Sequence, residues 1–214
     1  MKNMHKNILC SALGAVFLST LFTPLPAHAE LGGIWAKERF QLRVRALGVV
    51  PEESSSVNIG GNVKVGNALV PEIDLTYFLT EHVAAEIIAG TARHDLTHSS
   101  GADLGKVWIL PPTLTLQYHF TPENSFSPYV GAGINYSIMY GEDTASGFSD
   151  LDVGNGFGTA LQAGFDYWVD DHWGLNLDVK KLWLNVDASL NQGTIRADVD
   201  LDPWLIVAGV SYRF

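Results

Sequence analysis

The sequence predicts an all-β protein, an eight-stranded antiparallel up-and-down transmembrane β-barrel preceded by a cleaved signal peptide. Three observations predict it. Apolar and polar residues alternate with period two through most of residues 40–214. The connections between the alternating runs are by turns short and long. In three runs, aromatic residues of the same parity stand ten residues apart. Composition agrees. The 214-residue chain is 47% hydrophobic and only 17% charged, and its mean hydropathy is +0.11. A net charge of −10 argues against nucleic acid, which requires a basic footprint. Aromatic content of 11% argues against disorder.

The first segment reads as an export address. Lys2 and Lys6 precede an uncharged apolar stretch over residues 8–22, and Ala27-His28-Ala29 offers small residues at −3 and −1 for cleavage before Glu30. The expected organisation is therefore a signal peptide at 1–29 and an outer-membrane barrel domain at 30–214. The apolar stretch is short for a membrane span, and Pro24 and Pro26 follow it. Cys10, the sole cysteine, lies within it, so the mature chain has no disulfide or thiolate chemistry. The mature chain keeps 11 basic and 23 acidic residues, for a net charge of −12, and no run of 18 apolar residues.

Eight candidate strands follow. Phe40, Leu42, Val44 and Ala46 alternate with Gln41, Arg43 and Arg45. Leu69, Pro71, Ile73, Leu75 and Tyr77 alternate with Glu72, Asp74 and Thr76, and Val83, Ala85, Ile87 and Ala89 with Ala84, Glu86 and Gly90. Leu110, Pro112, Leu114, Leu116 and Tyr118 oppose Thr113, Thr115, Gln117 and His119. Val130, Ala132, Ile134, Tyr136 and Ile138 oppose Gly131, Gly133, Asn135 and Ser137. Phe157, Leu161, Ala163, Phe165 and Tyr167 oppose Gly158, Gln162, Gly164 and Asp166. Trp173, Leu175, Leu177 and Val179 oppose Asn176, Asp178 and Lys180. Trp204, Ile206, Ala208, Val210, Tyr212 and Phe214 oppose Ser211 and Arg213.

Three connections are short (79–82, 121–126 and 170–172), and four are long and polar (51–66, 92–106, 141–155 and 187–196). Outer-membrane barrels combine short periplasmic turns with long outer loops in this way. A soluble eight-stranded barrel of the lipocalin kind is the competitor, but it would put its apolar face inside. Here the polar face carries charges and many glycines, which suit a narrow interior, while unbroken apolar rows suit lipid. The pairs Trp108/Tyr118, Trp173/Trp183 and Trp204/Phe214 are each ten residues apart. At ~3.3 Å per residue and ~45° of tilt this is ~23 Å, close to the ~25 Å between aromatic girdles.

The chain resembles the outer-membrane protein W (OmpW) family in several stretches. They are Arg43-Val44-Arg45 with Val50-Pro51, Leu75-Thr76-Tyr77-Phe78-Leu79-Thr80, Leu110-Pro111-Pro112-Thr113, and Leu116-Gln117-Tyr118-His119-Phe120. The most specific is Pro128-Tyr129-Val130-Gly131-Ala132-Gly133-Ile134-Asn135-Tyr136, and Asp202-Pro203 precedes a terminal Tyr212-Arg213-Phe214. The resemblance covers nearly the whole mature chain. It implies the same eight-stranded barrel, passage of small hydrophobic molecules through the outer membrane of a Gram-negative bacterium, and an assembly signal at Tyr212 and Phe214. The four long loops are the part least tied to the family pattern.

Strand direction sorts the inward residues by height. Val70, Ile88, Met139, Leu182, Leu184, Leu205 and Val207 would line an apolar upper lumen. Arg43, Asp74, Glu86, Asp166, Asp178 and Arg213 would form a polar plug below it, since buried charges of both signs must pair. Pro71, Pro111, Pro112 and Pro203 fall at one outer height, where missing backbone donors would weaken the wall and permit a lateral opening, or merely end the paired section of each strand. Lys180 and Lys181 are adjacent and cannot both point inward without a bulge, so Lys181 is assigned to the lipid headgroups.

Other chemistry is weaker. His94 and His98, with Asp95 and Ser99, could serve a metal or a lipid acyltransferase, but positions four apart on a strand are ~13 Å apart. Asp198, Asp200 and Asp202 alternate without the glycine of a calcium loop. The expected protein is not an enzyme and has no metal or cofactor. Its partners would be outer-membrane lipids and lipopolysaccharide, a small hydrophobic solute and the barrel-assembly machinery. A barrel that is structural, stress-related or adhesive, without transport, is the alternative.

Overall fold

The structure is a computed structural model and describes Gly33 and residues 35–214. The signal peptide expected at 1–29 lies outside these residues. After a short 3-10 turn at Lys37–Arg39, the chain forms β1 (Phe40–Val50), β2 (Glu53–Val57), β3 (Val63–Val65), β4 (Ala68–Phe78), β5 (Val83–Gly90), β6 (Ala92–His98) and β7 (Asp103–Leu110). Then come β8 (Thr113–His119), β9 (Phe126–Thr144), β10 (Leu151–Val153), β11 (Gly156–Trp168), β12 (Trp173–Leu190), β13 (Ile195–Leu201) and β14 (Trp204–Arg213).

Eight of these strands close a ring in the order β1, β4, β5, β8, β9, β11, β12, β14 and back to β1, every pair antiparallel. Closure pairs the strands' backbones over most of the wall, which is what a lipid environment demands. Side-chain orientation then separates membrane from soluble barrel. In β8, Thr113, Thr115, Gln117 and His119 are buried while Leu114, Leu116 and Tyr118 are exposed. Polar residues fill the interior and apolar residues cover the outside, the reverse of a soluble fold. Exposed aromatics form two rows. Tyr118, Phe120, Phe126, Tyr167, Trp173 and Phe214 mark one end, and Tyr140, Trp183 and Trp204 the other. Tyr212 packs edge-on against Trp173 and Phe214, with ring centroids 4.8 and 5.0 Å away.

The register makes one close approach compulsory. A Cβ on Gly133 would lie 2.1 Å from the carbonyl oxygen of Leu114, so only glycine lets β9 and β8 lie together there. At the periplasmic end, Asp170 accepts backbone hydrogen bonds from Trp173 (2.7 Å) and His172 (2.8 Å) and fixes the tight turn into β12.

The long connections differ from the expected polar loops. Much of each is strand, and the wall continues outward as two sheets. One joins β10, β12, β13 and β2, and the other joins β3, β6, β7 and β9. Their inward faces carry Val63, Leu96, Val107, Leu151, Val186 and Val199 in one packed apolar cluster. That burial explains why the segments are ordered despite the polar residues on their outer faces.

Candidate functional site

The lower lumen is filled by ionic side chains from five strands. Arg43 on β1 reaches Asp166 (2.8 Å), Asp74 (3.2 Å) and Glu86 (3.3 Å), and also donates to Thr76 Oγ1 at 2.8 Å. Arg45, two residues on, contacts Glu72 (2.5 Å), Asp74 (2.7 Å) and Glu86 (3.3 Å). Lys180 on β12 pairs with Asp178 at 2.7 Å. Tyr129 donates to Asp178 at 2.8 Å, and Ser211 donates to Asp166 at 2.7 Å. All these ionic side chains are at most 1% exposed. Burial makes the pairing obligatory, because removing one partner strands a charge in a low dielectric.

Arg43, Asp74, Glu86, Asp166 and Asp178 thus meet in one network. Arg213 does not join it. Its guanidinium lies 3.9 Å over the Trp168 ring and donates to the Pro122 carbonyl, because its position near the end of β14 puts it at the periplasmic mouth. Arg45, Glu72 and Lys180 belong to the network although the sequence assignment omitted them. Each has the inward parity of a residue that was assigned, Arg43, Asp74 or Asp178. β12 pairs continuously with β14 through Lys180 and Lys181, so no bulge intervenes. Lys180 points inward, and Lys181 points outward to Glu52 (2.7 Å) with its ammonium 5.0 Å over the Trp204 ring.

Above this network lies an apolar layer of Leu47, Ala160, Leu182, Leu205 and Val207, with Val49 and Val70 packed on it. Over the layer opens a cavity of about 590 Å³ of empty space, part of it open to solvent. Val70, Leu182, Leu184 and Leu205 line it. Ile88, Met139 and Val207 point inward but do not. Val207 is fully buried in the layer beneath, Met139 belongs to the apolar cluster above, and Ile88 is buried beside Asp74 and Thr113 in register. Much of the lining comes from outside the eight recognised runs, including Val65, Ala92 and His94 in stretches read as loops, and Ile109. Among the described residues no charged side chain lines the cavity, and the inward polar side chains along it are those of His94 and Ser137, Thr91 turning its hydroxyl to the outer face.

The wall beside this cavity is incomplete. β4 is paired with β1 from Ala68 onward, but with β5 only from Glu72. Pairing of β5 with β8 ends at Ile88 and Thr113, and β6 finds β7 again at Ala92 and Ile109. Residues 68–71 therefore have no strand partner on that side. Higher up, the Gly66 amide donates to the Asp95 carbonyl at 3.0 Å and closes the gap. The result is a slit in the hydrogen-bond ladder roughly 15 Å long, taking ~3.3 Å per residue, although β4 and β6 still run close beside one another. Pro71 lies at its lower end, and Pro111 and Pro112 stand one strand further on, where β7 gives way to β8. Pro203 does not border it. It sits where β13 passes into β14, its carbonyl accepts from the Leu182 amide at 3.1 Å, and Lys181 Nζ bonds the adjacent Asp202 carbonyl at 2.5 Å. That junction is fastened rather than open.

The His94, Asp95, His98 and Ser99 group is not assembled. His94 faces inward, Asp95 pairs outward with Lys106 at 2.8 Å, and His98 bonds the Gly60 carbonyl and Ser100. Asp198 and Asp200 point outward and share Asn185 as donor, at 2.6 and 3.0 Å.

Comparison with known proteins agrees with this architecture. The OmpW family profile matches residues 36–214. An uncharacterized outer-membrane protein, y4mB, of Sinorhizobium fredii is 45% identical, with 100% of this chain and 99% of that protein covered. Outer membrane protein W of Vibrio cholerae is 32% identical, with 98% of this chain and 100% of that one covered. The crystal structure of the outer membrane protein OprG from Pseudomonas aeruginosa superposes with a TM-score of 0.76 at 29% identity, covering 82% of this chain and 95% of that one. The barrel's location is the outer membrane of a Gram-negative bacterium, where its apolar outer face contacts lipid.

Proposed function

This chain belongs to the OmpW family of outer-membrane β-barrels, and we propose that it admits small hydrophobic molecules through its apolar upper lumen and releases them sideways into the bilayer. The observation that carries this reading is the conjunction of two features at one height. A cavity without charged lining among the described residues stands above an apolar layer and an ion-paired floor, and Val70, Gly90, Thr91 and Ala92 line it beside the unpaired stretch of β4. A neutral apolar molecule gains roughly 25 cal/mol for each Å² of its surface that leaves water for such a cavity. Straight passage would require it to displace buried ion pairs, whereas the slit leads from the cavity into hydrocarbon.

Lipopolysaccharide is the proposed contact of the outward faces above the upper aromatic row. Tyr212 and Phe214 are the proposed signal for the barrel-assembly machinery, standing together at the end of β14 with Tyr212 half-buried and Phe214 exposed. The test of the main reading is Leu205→Asp in proteoliposomes with a lipopolysaccharide outer leaflet, which resists apolar solutes. A carboxylate in the cavity wall should cut the protein-dependent flux of a short alkane at least tenfold. Flux equal to wild type would sink the proposal.

A further inference from the structure

The cavity's two inward polar side chains have their protons already committed. His94 sits on β6, 4% exposed, with its ring facing the cavity. Its Nδ1 lies 2.7 Å from the Gly66 carbonyl oxygen. A carbonyl can only accept, so Nδ1 carries the hydrogen. No carboxylate lines the cavity to balance an imidazolium, so the ring is neutral and Nε2 presents a bare lone pair. Ser137 donates its hydroxyl hydrogen to Asn135 Oδ1 at 2.8 Å, which leaves only oxygen lone pairs. Thr91 turns away from the cavity, donating to the Ile109 carbonyl at 3.1 Å and meeting the exposed Tyr140 hydroxyl at 2.6 Å.

The side chains thus offer acceptors and no donor. From this we infer that the cavity is a site for small apolar molecules that carry one uncharged hydrogen-bond donor, an aliphatic or aromatic alcohol or an N–H heterocycle, with that donor held by His94 Nε2. The inference rests on the hydrophobic-uptake reading and narrows its substrate class. An ether or ester of the same size has no hydrogen to give Nε2, so it leaves that acceptor unsatisfied while losing its own hydrogen bonds to water. An alcohol keeps one. A pure hydrocarbon neither gains nor loses such a bond, but leaves Nε2 unsatisfied. A carboxylate is excluded by desolvation, since nothing cationic lines the cavity. The position of His94 also fits a selecting role. Its bond to Gly66, beside the Gly66–Asp95 backbone bond, forms the upper end of the slit, so a solute held at Nε2 lies next to the lateral exit.

The experiment uses the isomers 1-octanol and 1-methoxyheptane, equal in size and differing in the donor. The full barrel, labelled with ¹⁵N at histidine and ¹³C at methyl groups, is held in phospholipid nanodiscs and titrated with each. Contacts from solute to the Val70 and Leu205 methyls report occupancy, and the His94 Nε2 resonance reports the hydrogen bond. Octanol should occupy the cavity about five- to tenfold more tightly than the ether, the value of one hydrogen bond to a buried group. Octanol alone should move the Nε2 signal upfield. His94→Leu should bring octanol down to the ether's affinity and leave the ether's little changed, and His94→Gln, which retains an acceptor, should recover part of the preference. Equal affinities with an unmoved Nε2 signal overturn the inference and leave hydrophobic uptake standing. If neither solute contacts the Val70 and Leu205 methyls, hydrophobic uptake fails and the inference fails with it.

Discussion

Arg43 shows how one residue type becomes compulsory. Its guanidinium faces Asp166, Asp74 and Glu86, and stands 5.3 Å over the Tyr129 ring. Arg43→Leu should lower unfolding stability in lipid vesicles by about 3–5 kcal/mol, because three carboxylates lose a buried partner. Lys181→Met, on the partly exposed pair with Glu52, should cost less than about 1 kcal/mol. Urea unfolding midpoints read both, and equal losses would contradict the assignment of one lysine-arginine set to the lumen and the other to the surface. Parity alone made most of this legible. Arg45 and Glu72 follow the same alternation as Arg43 and Asp74, so the sequence contains them as inward residues. What parity does not tell is how far along the barrel axis a side chain reaches, and so Arg213 was placed in the network although it stacks on Trp168.

Between elements, the wall is strong and weak at comparable breaks. Prolines interrupt it at Pro51 and Pro203 on one flank and at Pro71 and Pro111 on another. On the first flank, Lys181, Glu52 and Trp204 form an outward clasp, with Trp204 Nε1 donating to Glu52 at 3.2 Å and Lys181 bonding the Asp202 carbonyl. On the second flank, β4 lacks a strand partner over residues 68–71 on the side away from β1. Proline positions in the sequence therefore mark where strand pairing changes but not which of these places is fastened, since that depends on side chains brought together from distant strands. A flexible bis-maleimide bridge between Leu69→Cys and Arg93→Cys should slow delivery of an apolar solute to the bilayer severalfold, and the same label on either single cysteine should not. The long connections were misjudged as loops for a related reason. Val63, Leu96, Leu151 and Val199 are isolated apolar residues in polar stretches, and they become a core only when two sheets face one another.

For the whole molecule, hydropathy is distributed by face rather than by segment. Half of each strand meets lipid, the charges go to the lumen floor and the outer faces, and among the described residues no helix is long and apolar enough to cross a membrane. The fold was therefore readable from period two, the asymmetric connections and the aromatic spacing together. The division of the lumen was readable only in outline, because cavity lining from β3, β6 and β7 lay beyond the eight recognised runs. The central claim is that an apolar solute crosses from the upper cavity into the bilayer. The most direct test follows a fluorescent apolar solute into proteoliposomes with a lipopolysaccharide outer leaflet, using one quencher buried in the bilayer and another confined to the vesicle interior. Lateral release predicts that the bilayer quencher acts first and only when the barrel is present. Earlier quenching from the interior, or no acceleration over protein-free vesicles, would contradict it.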